Sequence, residues 1–180
     1  MGNAQIDTAQ SKFGGASGLF DGTGDRLTVP DSSDWDFGTG QFTVDLWVRF
    51  ASVTATGRAI FSMGSALYFT LYRQVDGVLY FLVDSGAVCE YAWTPSADTW
   101  YHIAIVREST GTDATKIYID GTQVETGTCA TDITPGSGVV IGDRPVDLTQ
   151  PFYGWMDEIR VSKGIARWTT NFTPSTAEYS

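Results

Sequence analysis

Apolar and polar residues alternate along much of the chain, most clearly in QFTVDLWVRF at residues 41–50. Successive side chains of a β-strand point to opposite faces, so a period of two predicts a strand with one buried face. The apolar set consists of Phe42, Val44, Leu46, Val48 and Phe50. A shift of one residue would turn this whole set outward, and the pattern therefore fixes the register of the strand.

Two further segments are typical of β-hairpins, because an Asp-Gly pair separates alternating strands and favours a type I′ turn. The first joins ALYFTLYR to GVLYFLVD through QVDG at residues 74–77, and the second is KIYIDGTQV, which turns at residues 120–121. One face of the first hairpin is apolar and carries Leu67, Phe69 and Leu71. The opposite face is aromatic and polar and carries Tyr68, Thr70, Tyr72, Tyr80 and Asp84.

About a dozen such short strands follow one another, with turn residues between them and no convincing helical period. The segment GWMDEIRVSKGIARW, which begins at residue 154, has the character of a closing strand with its cap. No linker interrupts the pattern. The sequence predicts one all-β domain over residues 1–180, folded as a sandwich or a jelly roll.

The charge balance narrows the range of partners. The chain carries 11 Lys and Arg against 21 Asp and Glu, a formal net charge of −10. Such a surface repels phosphate backbones and anionic membranes, so we expect neither nucleic acid nor membrane as a partner. An acidic surface suits divalent cations or neutral sugars, and it also serves solubility alone. MGNAQIDTAQ lacks the features of a signal peptide, and no apolar run approaches the roughly 20 residues of a membrane span.

Catalytic patterns are missing from the sequence. His102 is the only histidine, and neither a GxSxG elbow nor a phosphate-binding GxxxxGK[ST] loop occurs. Sandwich glycosidases need two carboxylates about 5–10 Å apart. Asp157 and Glu158 are adjacent on a strand and point to opposite faces, while Asp45 stands alone in VDLWV. We therefore predict that the protein is not an enzyme.

Cysteine chemistry remains open from the sequence. Cys89 and Cys129 are the only cysteines, and they show no metal-binding spacing. They form either one disulfide between strands or two small buried apolar side chains.

A calcium site is the metal chemistry that the residues favour. FDGTGD places Asp21 and Asp25 around a glycine-rich loop whose carbonyls can turn inward. Ca²⁺ takes six to eight oxygen ligands from carboxylates and backbone carbonyls. The alternative is that both aspartates only hydrogen-bond their own turn.

Several segments together resemble the laminin-G-like, concanavalin A-like lectin/glucanase superfamily. They are FDGTGDRLTVPDSSDWDFGTGQFTVDLWVRF, WYHIAIVR, KIYIDGTQV, VVIG and FYGWMDEIRVSKGIARW, in the order expected of the family. SKFGGASGLFDGTGD and ARWTTNFTPSTAEY are similar to versions found in bacteriophage virion proteins. The resemblance implies a jelly-roll sandwich of two antiparallel sheets. It also implies that the FDG segment lies beside the DEIRV strand, where Asp157 would join Asp21 and the 22–25 loop around a structural Ca²⁺.

The resemblance further implies glycan or protein binding on the concave face or its rim loops, with no counterpart of the catalytic carboxylates. Sugars stack on aromatic rings and hydrogen-bond to charged side chains. The residues expected to bind ligand are Tyr68, Tyr72, Tyr80, Asp84, Trp93, Asp143 and Arg144. The leading hypothesis is a non-catalytic adhesion module on a phage particle that binds host surface glycans, located on the virion surface or extracellularly. The alternative is a structural or decoration domain that contacts other virion proteins.

Overall fold

The computed structural model describes residues 2–53, 57–65, 68–145 and 148–179; Leu67 of the predicted apolar face lies outside these ranges. The described residues form thirteen β-strands and one short 3₁₀ helix at Ser33–Trp35. The strands are β1 Gln5–Asp7, β2 Ser17–Asp21, β3 Leu27–Val29, β4 Phe42–Phe50, β5 Arg58–Met63, β6 Phe69–Arg73, β7 Val78–Val83, β8 Gly86–Ala92, β9 Trp100–Arg107, β10 Thr115–Ile119, β11 Thr122–Gly127, β12 Val139–Ile141 and β13 Tyr153–Lys163.

Two antiparallel sheets build the fold, which confirms the predicted all-β sandwich. The seven-stranded sheet has the order β1-β2-β13-β4-β9-β10-β11, and the six-stranded sheet has the order β3-β12-β5-β6-β7-β8. The closing strand β13 lies between β2 and β4, so the expected neighbourhood of the FDG segment and the last strand is also confirmed. Among the described residues, no helix is long and apolar enough to span a membrane.

The core lies between the inner faces of the two sheets. All five apolar residues of the alternating set in β4 are fully buried there, as the period of two predicts. Phe42 stacks on Phe37 with ring centroids 4.8 Å apart, and it meets the edges of Phe69 and Phe81. Each fully buried ring of this kind contributes about 1.5–3 kcal/mol to stability.

The outer face of the seven-stranded sheet is buried as well. Thr43, Asp45 and Trp47 alternate with the core residues of β4, yet each is at most 5% exposed. Residues 164–179, which we call the C-terminal strap, cross this face. The strap residues Trp168 and Phe172 stack at 3.9 Å and pack on Ala104, Val106 and Tyr118 of the sheet.

The two predicted hairpin turns differ. Asp120 and Gly121 have φ values of 49° and 77°, as a type I′ turn requires. In the other hairpin only Gly77 has a positive φ, and its N–H donates to the carbonyl of Gln74. The type I′ prediction for Asp76-Gly77 is therefore wrong, because three residues, 75–77, lie between the hydrogen-bonded Gln74 and Val78 and only one of them is left-handed.

Candidate functional site

The tyrosine face predicted from the sequence is formed in part. Tyr72 of β6 and Tyr80 of β7 are cross-strand partners, and their rings stack with centroids 5.3 Å apart. The Tyr72 hydroxyl donates to Gln74 Oε1 and the Tyr80 hydroxyl donates to Asp76 Oδ2. Tyr72 is only 6% exposed, so Tyr80 supplies most of the accessible aromatic surface. Burial raises the pKa of Tyr72, and the hydrogen bond to Asp76 raises the pKa of Tyr80.

The loop before β13 adds Arg144 to this face. Its guanidinium carbon lies 5.8 Å from the ring centroid of Tyr72. Asp143 is fully buried, and its Oδ1 accepts a hydrogen bond from the backbone N–H of Arg144. The structure thus brings Tyr72, Tyr80 and Arg144 together, whereas the buried Asp143 carboxylate is bonded within its own loop.

The other three predicted ligand-binding residues lie elsewhere. The Tyr68 hydroxyl is held by the 132–134 loop, where it donates to the carbonyl of Asp132. Asp84 is an exposed turn residue between β7 and β8 with a φ of 51°. Trp93 is 9% exposed and packs in the core against Phe50 and Tyr101, so its indole is not a stacking surface. Tyr68, Asp84 and Trp93 therefore do not join Tyr72, Tyr80 and Arg144, and burial of the apolar indole accounts for the position of Trp93.

The aspartates of the FDGTGD loop organise the loop itself. Asp25 is buried, and its two carboxylate oxygens accept hydrogen bonds from the N–H groups of Asn3 and Asp21 at 2.6 and 2.8 Å. Asp21 Oδ1 accepts from the Thr23 N–H at 2.7 Å, which is an Asx turn. This arrangement matches the alternative that the aspartates stabilise their own turn.

Asp157 does not reach that loop. Asp21 pairs with Tyr153, so Asp157 lies four residues further along β13. Its Oδ2 accepts hydrogen bonds from the N–H groups of Lys12 and Phe13 at 2.8 and 3.1 Å. No group of three potential metal-binding side chains occurs within the described ranges. The three aspartates therefore do not fit the expected shared calcium site, and calcium binding stays a prediction.

A groove that the sequence analysis did not predict lies on the outer face of the seven-stranded sheet. Its volume is about 420 Å³, and its floor and walls come from the N-terminal segment, β4, β9, the β10–β11 turn and the C-terminal strap. We call it the aromatic groove. Its lining residues are Lys12, Phe13, Trp47, Trp100, Asp120, Pro174, Ser175 and Thr176.

One wall of the aromatic groove is a cation held against two rings. The Lys12 ammonium lies 3.9 Å from the ring centroid of Trp47 and 5.5 Å from that of Phe13. Phe13 meets Trp47 edge to face at 5.9 Å. The hydrogen bonds from the backbone of Lys12 and Phe13 to Asp157 fix this wall on the sheet.

Oxygen atoms also line the aromatic groove. Asp120 Oδ1 accepts a hydrogen bond from the backbone N–H of His102 at 2.8 Å, which orients the carboxylate beside the half-buried Trp100. Ser175 and Thr176 of the strap also line the groove, and the Ser175 hydroxyl donates to the carbonyl of Ala177. The groove thus combines aromatic surface with a cation, a carboxylate and two hydroxyls.

A buried ion pair holds the strap that lines the aromatic groove. Arg160 donates to both oxygens of Asp45 at 3.1 and 2.9 Å. The Tyr179 hydroxyl donates to Asp45 Oδ2 at 2.6 Å, and His102 Nε2 lies 3.4 Å from the same oxygen. Burial opposes ionisation, but the hydrogen bonds from His102, Arg160 and Tyr179 outweigh it and hold the pKa of Asp45 below its ordinary value. Burial and the bond to Asp45 raise the pKa of Tyr179.

A second cavity, of about 440 Å³, opens between the two sheets at the edge of the sandwich. Its lining is apolar except for Asp34 and Lys163, and Lys163 Nζ donates to the carbonyl of Ser33. Such a lining offers few polar groups to orient a hydroxyl-rich ligand. The aromatic groove is therefore the stronger candidate site.

A sequence signal for the aromatic groove exists in part. Alternation places Trp47 on the polar face of its strand and Trp100 on the same side as His102, and large indoles at such positions are unusual. The pairing of Trp47 with His102 and of Arg49 with Trp100 brings the two indoles onto one sheet face. Neither the pairing nor the covering strap could be predicted from the alternation.

Comparison with known proteins identifies the fold family. A laminin G family model, described as the concanavalin A-like lectin/glucanases superfamily, matches residues 21–167. No curated protein matches the sequence.

Solved structures share the fold at low identity. Domain 4 of AbnA, an extracellular GH43 arabinanase from Geobacillus stearothermophilus in complex with arabinotriose, is 22% identical with a TM-score of 0.66; the match covers 91% of this chain and 77% of that one. A heptameric SAP-like pentraxin from Limulus polyphemus is 20% identical with a TM-score of 0.56, and the match covers 86% and 76%. The CBM40 of the Ruminococcus gnavus IT-sialidase, bound to α2,3 sialyllactose, is 14% identical with a TM-score of 0.57, and the match covers 79% and 92%.

Proposed function

The chain belongs to the concanavalin A-like lectin/glucanases superfamily, and from this premise we propose that it is a non-catalytic carbohydrate-binding module. The aromatic groove carries the proposal. Saccharides lay their apolar C–H faces on aromatic rings and direct their hydroxyls to charged and polar groups. Trp100 and the polar groups of Asp120, Ser175 and Thr176 supply both kinds of contact within one concavity.

Two structural neighbours support the proposal. The arabinanase domain was determined with arabinotriose and the CBM40 with sialyllactose. Both ligands belong to those proteins, and the shared sandwich makes a saccharide the natural first class of ligand to test on this chain.

The chemistry of the groove supports a role in binding rather than hydrolysis. Asp120 is the one carboxylate among its described lining residues, whereas glycosidases place two about 5–10 Å apart. Asp45, on the same sheet face, is fully buried by Arg160, His102 and Tyr179. Among the described residues, a saccharide in the groove therefore meets no pair of carboxylates that could act as acid and nucleophile.

The biological setting that we propose is a phage particle, with the module on the virion surface or outside the cell and host surface glycans as its ligands. The support is the resemblance of SKFGGASGLFDGTGD and ARWTTNFTPSTAEY to segments of phage virion proteins. A decoration domain that contacts other virion proteins is the alternative for the same setting.

A glycan array with three proteins tests the function. Trp100 and Tyr80 are both half-buried aromatic residues, one in the groove and one on the tyrosine face. We expect Trp100→Ala to weaken binding by about tenfold or more and Tyr80→Ala to leave it unchanged. The opposite result would move the site to the tyrosine face, and an array with no signal would refute carbohydrate binding and favour the decoration role.

A further inference from the structure

Lys12 is a half-buried ammonium group on the wall of the aromatic groove. In the part of the chain that the structure describes, this ammonium contacts the rings of Trp47 and Phe13 and takes part in no salt bridge. The chain has 21 acidic residues and only 11 basic ones. The Lys12 ammonium therefore faces the groove with two aromatic rings beside it and, within the described residues, no acidic side chain in salt-bridge contact.

The segment that carries this ammonium is anchored to the sheet. The backbone N–H groups of Lys12 and Phe13 donate to the Asp157 carboxylate, which anchors the segment to β13. The Trp47 ring lies beneath the ammonium and excludes water from one side of it. A cation that is preoriented and partly desolvated interacts more strongly with an anion than a fully hydrated lysine does.

We infer that the aromatic groove recognises an acidic saccharide, whose anionic group pairs with Lys12 while its hydroxyls face Asp120 and the strap. The inference rests on the proposed function and names the ligand class of the same site. The anionic group is a carboxylate or a sulfate, since either oxyanion accepts hydrogen bonds from an ammonium group. The indole of Trp100 provides the surface on which the sugar ring lies.

The net charge of −10 does not oppose this assignment at contact distance. Repulsion from charges spread over the surface is screened beyond about 8 Å at physiological ionic strength. An ion pair across about 3 Å is much less screened. The acidic surface therefore lowers the association rate of an acidic ligand, whereas the contact with Lys12 lowers its dissociation rate.

The test compares matched saccharides on matched variants. The probes are uronic acid, sialylated and sulfated oligosaccharides, each beside its carboxyl-reduced or desulfated counterpart, and affinities are measured by calorimetry. Lys12→Met removes the charge and keeps the aliphatic stem. Lys163→Met removes the same charge at the edge of the sandwich, away from the groove.

We expect at least one acidic probe to bind about tenfold more tightly than its neutral counterpart. Lys12→Met should abolish that preference, and Lys163→Met should preserve it. If only the carboxylated probes or only the sulfated probes bind more tightly than their neutral counterparts, that result identifies the anionic group of the ligand. Equal binding of acidic and neutral probes, insensitive to Lys12→Met, would overturn the inference and leave the carbohydrate-binding proposal standing. Absence of binding to every saccharide would overturn both.

Discussion

The Tyr179 hydroxyl gives the sharpest test of how the C-terminal strap is held. Its hydrogen bond to Asp45 spans 2.6 Å and ends on a carboxylate that is fully buried. Tyr179→Phe removes this hydroxyl and keeps the ring that Arg160 covers at 3.7 Å. The perturbation therefore removes the charge-assisted hydrogen bond to Asp45 and the 2.9 Å contact of the hydroxyl with His102 Nε2.

The expected magnitude follows from the charge and burial of the acceptor. Hydrogen bonds to charged groups contribute about 1.5–3 kcal/mol. Because Arg160 continues to bind both Asp45 oxygens, we expect a loss of about 2 kcal/mol in the free energy of unfolding. For a chain of this length, such a loss lowers Tm by roughly 4–8 °C.

Thermal and denaturant unfolding of Tyr179→Phe and Tyr80→Phe measures the effect. Tyr80→Phe deletes the same kind of bond, from a tyrosine hydroxyl to Asp76, at an exposed site. That control should change stability by no more than about 0.5 kcal/mol. Equal losses in the two variants would refute the view that burial of Asp45 makes the Tyr179 bond strong.

Three further predictions concern pH, thiols and metal. The pKa of Asp45 is lowered in the folded state, so the ionised carboxylate stabilises the fold above about pH 4. This contribution to the free energy of unfolding is lost as the pH falls through the folded-state pKa. Unfolding curves of Asp45→Asn should therefore depend less on acid pH than those of wild type. Cys89 and Cys129 are free and buried, and burial raises the pKa of Cys89 to about 12. A thiol reagent should therefore label neither residue near neutral pH until denaturant is added. Rapid labelling of the native protein would contradict this prediction. If Ca²⁺ binds at the FDGTGD loop, Asp21→Asn should abolish a calcium-dependent rise in Tm and Asp157→Asn should not. A Tm of the unmutated protein that changes with neither calcium nor chelator would refute calcium binding.

The alternation of residues carried most of the information about the fold. Five apolar residues at period two in β4 specify one buried face, and the structure buries all five. The pairing of Tyr72 with Tyr80 was not accessible in this way, because a two-residue turn at Asp76-Gly77 would have paired Tyr72 with Phe81. Local turn chemistry did set the left-handed pair at Asp120 and Gly121.

The aromatic groove could not be predicted in the same way. Alternation assigns a side chain to one face of its strand, but it does not say which strand lies beside it or what covers that face. Lys12, Trp47 and Trp100 come from three distant parts of the chain. Only the antiparallel pairing of β4 with β9 brings the two indoles onto one face.

The outer face of β4 shows the same division between sequence and structure. The sequence by itself determined that Asp45 and Trp47 point away from the core of the sandwich. Only the tertiary structure decided that this face is buried, because the strap crosses it. The Tyr179 hydroxyl donates to Asp45, which lies 134 residues earlier in the sequence. The physical reason is that period two is a local property of the backbone, whereas the burial of a charge depends on partners that distant segments supply.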